Sequence, residues 1–317
     1  MSDKSLFYKG FEEHTEIDDF FEKLQVYAEN NETGNSVYIL KRPLGDKKYV
    51  YDYEKAVVIL IPKHKLLFLD YGENEEAFEE YVDDFIDDTG HISDKYEYMQ
   101  ILGRSSKWRR SFVEQKSYAE IKTYSLEELL QSIRIENKEM ARKGEFLISL
   151  LTGSINDVQK TGIEYPETVL EKIKRTIVLF DGDQTRFIYD EPHEKRITIQ
   201  GLAGTGKTEL LLHKIKEIYT QNDDVKIVFT CHNKILAENL RTRIPEFFNF
   251  MKVQEQIKWE EKLWVMSSWG SKADRNSGVY SYICNFYNIP FERFSYSKTF
   301  DGVCTNAIES LKEIGNL

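Results

Sequence analysis

The chain holds 317 residues, 41% hydrophobic and 31% charged, enough for two domains with their own cores and too apolar for a disordered tail. There is no run of 18 apolar residues, and the opening Met-Ser-Asp-Lys-Ser has no apolar leader, so membrane insertion and export are not indicated and a cytoplasmic location is expected. The net charge of −11 is uneven: residues 1 to 100 carry 24 acidic and 11 basic side chains, a net of −13, and the other 217 carry 30 and 32, a net of +2, so charge does not exclude a polyanionic partner for the later part.

Ile17, Phe20, Phe21, Leu24 and Tyr27 recur at three- and four-residue spacing and predict an amphipathic helix, ended by Asn30, Asn31 and Gly34. Short β-rich runs follow at 36–40, 48–51, 56–61 and 65–70, the last two joined by Pro62-Lys63-His64 as a hairpin, which predicts a small antiparallel sheet. Residues 73–88 hold nine acids and no base, while Phe78, Tyr81, Val82, Phe85 and Ile86 fall on one helical face. A helix with a solvated acidic side is preferred there over a DNA-mimicking or metal-binding surface.

The charge then reverses at Arg104, Lys107, Arg109 and Arg110, around Trp108. Such a cluster can hold a phosphate backbone and stack a base, or it can neutralise the acidic helix, which is the preferred reading. Ser125 and Glu128 form a capping box that starts a helix running to about Arg142. Helical patterns continue to Leu151 and resume over 167–174, so residues 116–175 read as a helical connector between an acidic α+β domain, 1–115, and an α/β domain, 176–317.

In that last part a strand at 197–200, a helix at 209–219, a strand at 225–230, a helix at 235–244 and a short strand at 264–267 alternate as in a parallel sheet. Residues 278–294 are rich in Tyr and Phe, and 300–314 pattern as a helix. Cys231, Cys284 and Cys304 lack disulfide-framework or zinc spacing and read as reduced core residues. Between the first strand and helix stands Gly-Leu-Ala-Gly-Thr-Gly-Lys-Thr, whose Gly201, Gly206, Lys207 and Thr208 satisfy G-x-x-x-x-G-K-[ST]. Glycines at 201, 204 and 206 permit turn conformations that aim successive N–H groups at a polyphosphate on a helix N-terminus. Lys207 adds positive charge and Thr208 offers a hydroxyl to Mg²⁺, so ATP or GTP is the expected ligand.

This loop, followed by Lys226-Ile-Val-Phe-Thr-Cys-His-Asn-Lys-Ile-Leu-Ala-Glu-Asn-Leu-Arg241, resembles motifs I and Ia of the UvrD/Rep-like superfamily 1 helicases. Phe180-Asp-Gly-Asp-Gln184 is similar to their Q motif, 17 residues before Gly201, and Val265-Met-Ser-Ser-Trp269 to motif Ib. The resemblance covers residues 177–317 and implies a RecA-like first motor domain using ATP and Mg²⁺. It implies that Gln184 reads adenine and that Gly201 and Ala203, Gly204, Thr205, Gly206, Lys207 and Thr208 hold the phosphates, with Thr208 on the metal. It also implies that Thr230, Asn233 and Trp269 lie near single-stranded nucleic acid, DNA before RNA. The residues themselves leave alternatives open: an exposed polar role for Gln184, a helix N-cap for Asn233 and a core position for Trp269.

The family's Asp-Glu Walker B strand is not found after motif Ib. Residues 66–73 and 178–181 have a similar look, but the first lies in the hairpin and the second in the Q motif. The chain is therefore expected to be the N-terminal part of a longer enzyme, binding ATP without turning it over. An accessory domain ahead of such a motor invites a nuclease reading, with Asp70 and the triad Glu120-Ile121-Lys122 as candidate metal and water-activating residues. That architecture resembles the nuclease-helicases of anti-phage defence. The alternative is a non-catalytic, nucleotide-gated protein- or nucleic-acid-binding module whose acidic domain docks a partner protein or mimics DNA; a protein partner or self-association through that domain is open in either reading.

Overall fold

The computed structural model describes residues 5–30, 34–45, 48–162, 166, 168–192, 195–293, 295 and 297–314, without the side chains of 169, 172 and 173. They gather in two compact units, 1–202 and 203–317. No helix among the described residues is long and apolar enough to cross a membrane.

The first unit is built on a five-stranded sheet in the order β1 (Phe7–Lys9), β2 (Val37–Leu40), β3 (Ala56–Leu60), β4 (Leu66–Asp70), β5 (Val113–Ser117). The expected small antiparallel sheet is present in β2, β3 and β4, but parallel strands flank it on both sides. Neither edge strand was legible: β1 spans three residues, and β5, Val-Glu-Gln-Lys-Ser, has no apolar alternation. Both exist because a buried apolar neighbour, β2 for β1 and β4 for β5, offers a row of backbone donors and acceptors. The expected run at 48–51 is not a strand; Tyr51 packs instead against Tyr81 and Phe85 and donates to Asp88 at 2.9 Å.

Both faces of this sheet are covered, which is why β3 and β4 read as continuous apolar runs. Phe7, Ile39, Val57, Ile59, Leu67 and Leu69 face one cluster with α1 (Asp18–Asn30). Tyr8, Tyr38, Val58, Leu60 and Phe68 face another with α2 (Glu75–Lys95). Asn74 caps α2, its Oδ1 accepting from Ala77 N at 3.1 Å, and Phe78, Tyr81, Val82 and Phe85 form the buried stripe. Each such ring or branched side chain contributes roughly 1.5–3 kcal/mol on burial. The acidic side of α2 is answered as expected by neutralisation: Arg109 pairs with Glu79 and Asp83, and Gln115 donates to Glu79 at 2.9 Å. Trp108 is buried, its indole N–H donating to Leu102 O at 2.9 Å, which takes it away from any stacking role.

The helix expected from the capping box to about Arg142 is two helices, α3 (Leu126–Ser132) and α4 (Lys138–Leu151). The break has a tertiary cause. The hairpin turn claims the backbone between them, with Lys65 N donating to Ile133 O at 2.9 Å and Ile135 N to Lys63 O at 2.8 Å, and Asn137 then caps α4. Leu129, Leu130 and Ile133 join one core cluster, and Phe146, Leu147, Ile148, Leu150 and Leu151 the other. Residues 126–151 of the stretch expected as a connector, 116–175, thus supply side chains to both core clusters, and the compact units are 1–202 and 203–317.

The second unit contains α6 (Lys207–Gln221), β6 (Ile227–Cys231), α7 (Lys234–Phe250), β7 (Leu263–Ser267), α8 (Val279–Phe286) and α9 (Phe300–Glu313); α5 (Gly182–Tyr189) precedes them in the first unit. β6 and β7 pair in parallel, with Thr230 opposite Met266. Leu212, Ile215 and Tyr219 of α6 and Leu240, Ile244, Phe247 and Phe248 of α7 are buried, with Tyr219 edge-on to Phe248 at 5.3 Å. The strand expected at 197–200 does not form. Residues 195–202 are neither helix nor strand, Ile197 is 50% exposed, and no described strand pairs with this run, so β-propensity alone does not satisfy its backbone. Of the parallel sheet expected for this part, one parallel pair, β6–β7, is present among the described residues.

Candidate nucleotide and nucleic-acid site

The phosphate loop ends in the second unit at the start of α6. Gly204 and Gly206 have φ of 80° and 84°, in the left-handed region, and Gly206 is the N-cap. A Cβ at either position would meet nothing within 4 Å, so backbone conformation and not space calls for glycine there. The stretch 201–206 is exposed, and Lys207 and Thr208 are the first two residues of the 15-residue helix. A helix leaves its first N–H groups without intrahelical acceptors and its N-terminus partially positive. Exposed left-handed glycines, a helix start, an ammonium and a hydroxyl fit a polyphosphate with its Mg²⁺. Lys207, Thr208 and the backbone of Gly204, Thr205 and Gly206 would hold it. Glu209, one residue on, pairs with Arg243 and joins α6 to α7.

Gln184 lies in the first unit at the third position of α5. Its Oε1 accepts from Asp181 N at 3.1 Å, and Asp181 Oδ1 accepts from Gln184 N at 2.8 Å, a reciprocal capping box. The pattern Asp-x-x-Gln before a helix was the signal for this. The box holds the amide in one orientation, and because a carbonyl oxygen has two lone pairs, Oε1 can still accept a second bond.

Thr230, Asn233 and Trp269 are brought to the carboxyl ends of β6 and β7, where α/β sheets place ligands. Thr230 is exposed near the end of β6. Asn233 caps α7, its Oδ1 accepting from Ile235 N at 2.8 Å and Leu236 N at 3.4 Å. Trp269 packs against Tyr280 and Phe300 and donates its indole N–H to Glu292 O at 3.0 Å. Two neighbours at these strand ends were given no role by the sequence: Ser268 Oγ lies 3.2 Å from Nδ1 of exposed His232, and only their places inside the two motif-like segments marked them. Arg241 fastens α7 to β7, donating from Nη2 to Val265 O at 2.9 Å.

The nuclease candidates each have other contacts. Asp70 accepts from Tyr53 Oη at 2.7 Å and from Gly72 N at 2.8 Å. Glu120 pairs with Lys116 at 2.8 Å, which holds its carboxyl below the ordinary range, and Lys122 lies 4.4 Å from the centre of the Tyr118 ring. Glu120 and Lys122 fall on a short helical turn and its cap, not on the strand that a paired acid-x-Lys site needs. Among the described residues no group of three or more His, Cys, Asp or Glu side chains is placed to hold a metal ion.

A family described as type III restriction enzyme, res subunit (ResIII), matches residues 155–278, well under half of the chain. The matched stretch includes α5, the phosphate loop, β6, α7 and β7, and the family is one of helicase-like motors of superfamilies 1 and 2. This part of the chain is thus similar to an ATP-dependent, helicase-like motor of nucleic-acid processing. Among curated proteins nothing matches the chain.

Proposed function

We propose that the chain is the ATP-binding part of a superfamily 1 motor of the UvrD/Rep-like type, acting on single-stranded DNA in nucleic-acid processing or defence. ATP with Mg²⁺ binds at Gly201 and Ala203 to Thr208, Gln184 reads the base, and nucleic acid runs past Thr230, Asn233 and Trp269. The observation that carries this is the pair of left-handed glycines at 204 and 206 opening α6. The ordered run of motif-like segments and the ResIII match support it. The first unit is an accessory domain. A nuclease role for it has no such support, since Asp70, Glu120 and Lys122 are each bound to other partners.

The test is anisotropy of a labelled single strand titrated with the chain, with and without ATP and Mg²⁺, alongside RNA of the same sequence. Binding that depends on nucleotide, prefers DNA and weakens in Thr230→Ala is expected. Indifference of strand binding to both nucleotide and Thr230→Ala would remove the motor reading.

A further inference from the structure

The base-reading segment is built into the N-terminal sheet. Gly182, the first residue of α5, lies so close to β1 that a Cβ there would sit 2.3 Å from Phe7 O and 2.9 Å from Phe7 N, a contact with backbone that cannot turn aside. Three further bonds tie β1 and its lead-in to α5. Ser5 N donates to Asp183 Oδ2 at 3.0 Å, Arg186 Nη2 donates to Phe7 O at 3.3 Å, and Tyr8 Oη donates to Asp190 Oδ1 at 2.9 Å. From β2, the fully buried Tyr38 donates its hydroxyl to Phe180 O, immediately before the N-cap. Upstream, Asn156 exchanges two hydrogen bonds with the backbone of Val178, at 2.8 and 3.0 Å. The segment 178–190 is therefore held at its start, at its cap and along its helix by side chains and strands of the accessory sheet.

What this hold fixes is chemically specific. Adenine presents a donor at N6 and an acceptor at N7, whereas guanine presents acceptors at both O6 and N7. An amide bonds both adenine atoms only with its oxygen at N6 and its nitrogen at N7, while an amide free to turn can still donate its nitrogen to guanine O6 or N7, so fixing its oxygen and nitrogen sharpens the choice. The Asp181 capping box sets that orientation for Gln184, and the cap is seated on β1 and β2.

We propose that Tyr38 and the Gly182–Phe7 contact are positioning elements for base choice by Gln184, so that the N-terminal sheet sets the preference of this glutamine for adenine over guanine. This rests on Gln184 reading the base, and the experiment separates the two ideas. ATP and GTP affinities are measured by calorimetry for the parent, Gln184→Ala, Tyr38→Phe and Gly182→Ala, with inorganic tripolyphosphate as a probe that senses the phosphate loop alone. Circular dichroism melts verify folding, and Tyr38→Phe, which removes one hydroxyl, covers the case in which Gly182→Ala does not fold. In Tyr38→Phe the ATP-to-GTP preference is expected to fall by about fivefold, the effect of one hydrogen bond, with tripolyphosphate affinity unchanged. A merely structural role would lower all three affinities together or none. If Gln184→Ala abolishes the preference while Tyr38→Phe and a folded Gly182→Ala keep it, the positioning role is overturned and the base reader stands. If Gln184→Ala itself leaves the preference intact, both fall.

Discussion

Lys207 is the first residue of α6, directly after the left-handed Gly206. A charge-assisted bond to phosphate is typically worth about 1.5–3 kcal/mol, so Lys207→Ala should weaken ATP binding by about tenfold to a hundredfold in calorimetry. The thermal transition of the unliganded chain should not move, because Lys207 belongs to neither core. Unchanged ATP affinity would remove the phosphate-loop assignment. His213, two turns further along α6, makes a different kind of prediction. It is buried edge-on to Phe247, and burial, with the Lys216 charge adding to it, depresses its pKa to about 3. An unfolded histidine takes up its proton as pH falls through about 6.5, while folded His213 stays neutral. The unfolded state thus binds the extra proton between about pH 6.5 and 3, so stability from this group is fully present above 6.5 and is lost as pH falls through that window. The slope approaches about 1.4 kcal/mol per pH unit at the most. Urea unfolding at pH 7 and pH 5 should show a smaller loss in His213→Leu than in the parent; equal losses would place the histidine's proton elsewhere.

Among the elements, α4 best shows how far pattern reading reaches. Its helical character was legible from spacing, but its place in the core was not, because the same apolar stripe serves any partner surface. Packing decided it: Phe146 is fully buried and edge-on to Tyr98 at 5.5 Å, whose hydroxyl donates to Asn156 O at 2.9 Å. Phe146→Ala should cost about 3–5 kcal/mol, and a chain cut at residue 115 should fail to fold, since both core clusters would lose the side chains that α3 and α4 supply. A cooperative thermal transition for residues 1–115 would contradict this. The acidic helix α2 ran the other way. Its buried stripe and its neutralisation by Arg109 were both readable, because an apolar face and an excess of like charge each demand a complement that the next basic cluster supplies.

At the scale of the whole molecule the chain consists of two compact units. Residues 195–202, at the boundary, are without helix or strand and almost wholly exposed, with Leu202 at 82% and Lys195 and Arg196 open to a protease. Limited trypsin digestion should cut there first and release two resistant fragments, and ATP with Mg²⁺ should slow that cut, because the phosphate loop begins at Gly201. Cleavage spread evenly over both units, or unaffected by nucleotide, would contradict this reading.

The sequence by itself determined the local chemistry of this protein. The loop at 201–208, the helices after it, the hairpin of β3 and β4 and the caps at Ser125 and Asn233 are short-range features, dictated by which backbone angles, spacings and side-chain bonds neighbouring residues permit. Tertiary structure decided what depends on distant partners. A polar run became β5 because β4 offered it an edge, and an apolar run at 197–200 stayed out of any sheet because no described strand pairs with it. Gln184 joined a capping box legible three residues away, yet the seating of that box against Phe7 and Tyr38 was not, since hydrogen bonds and close contacts between residues more than 140 positions apart leave no periodicity in the chain.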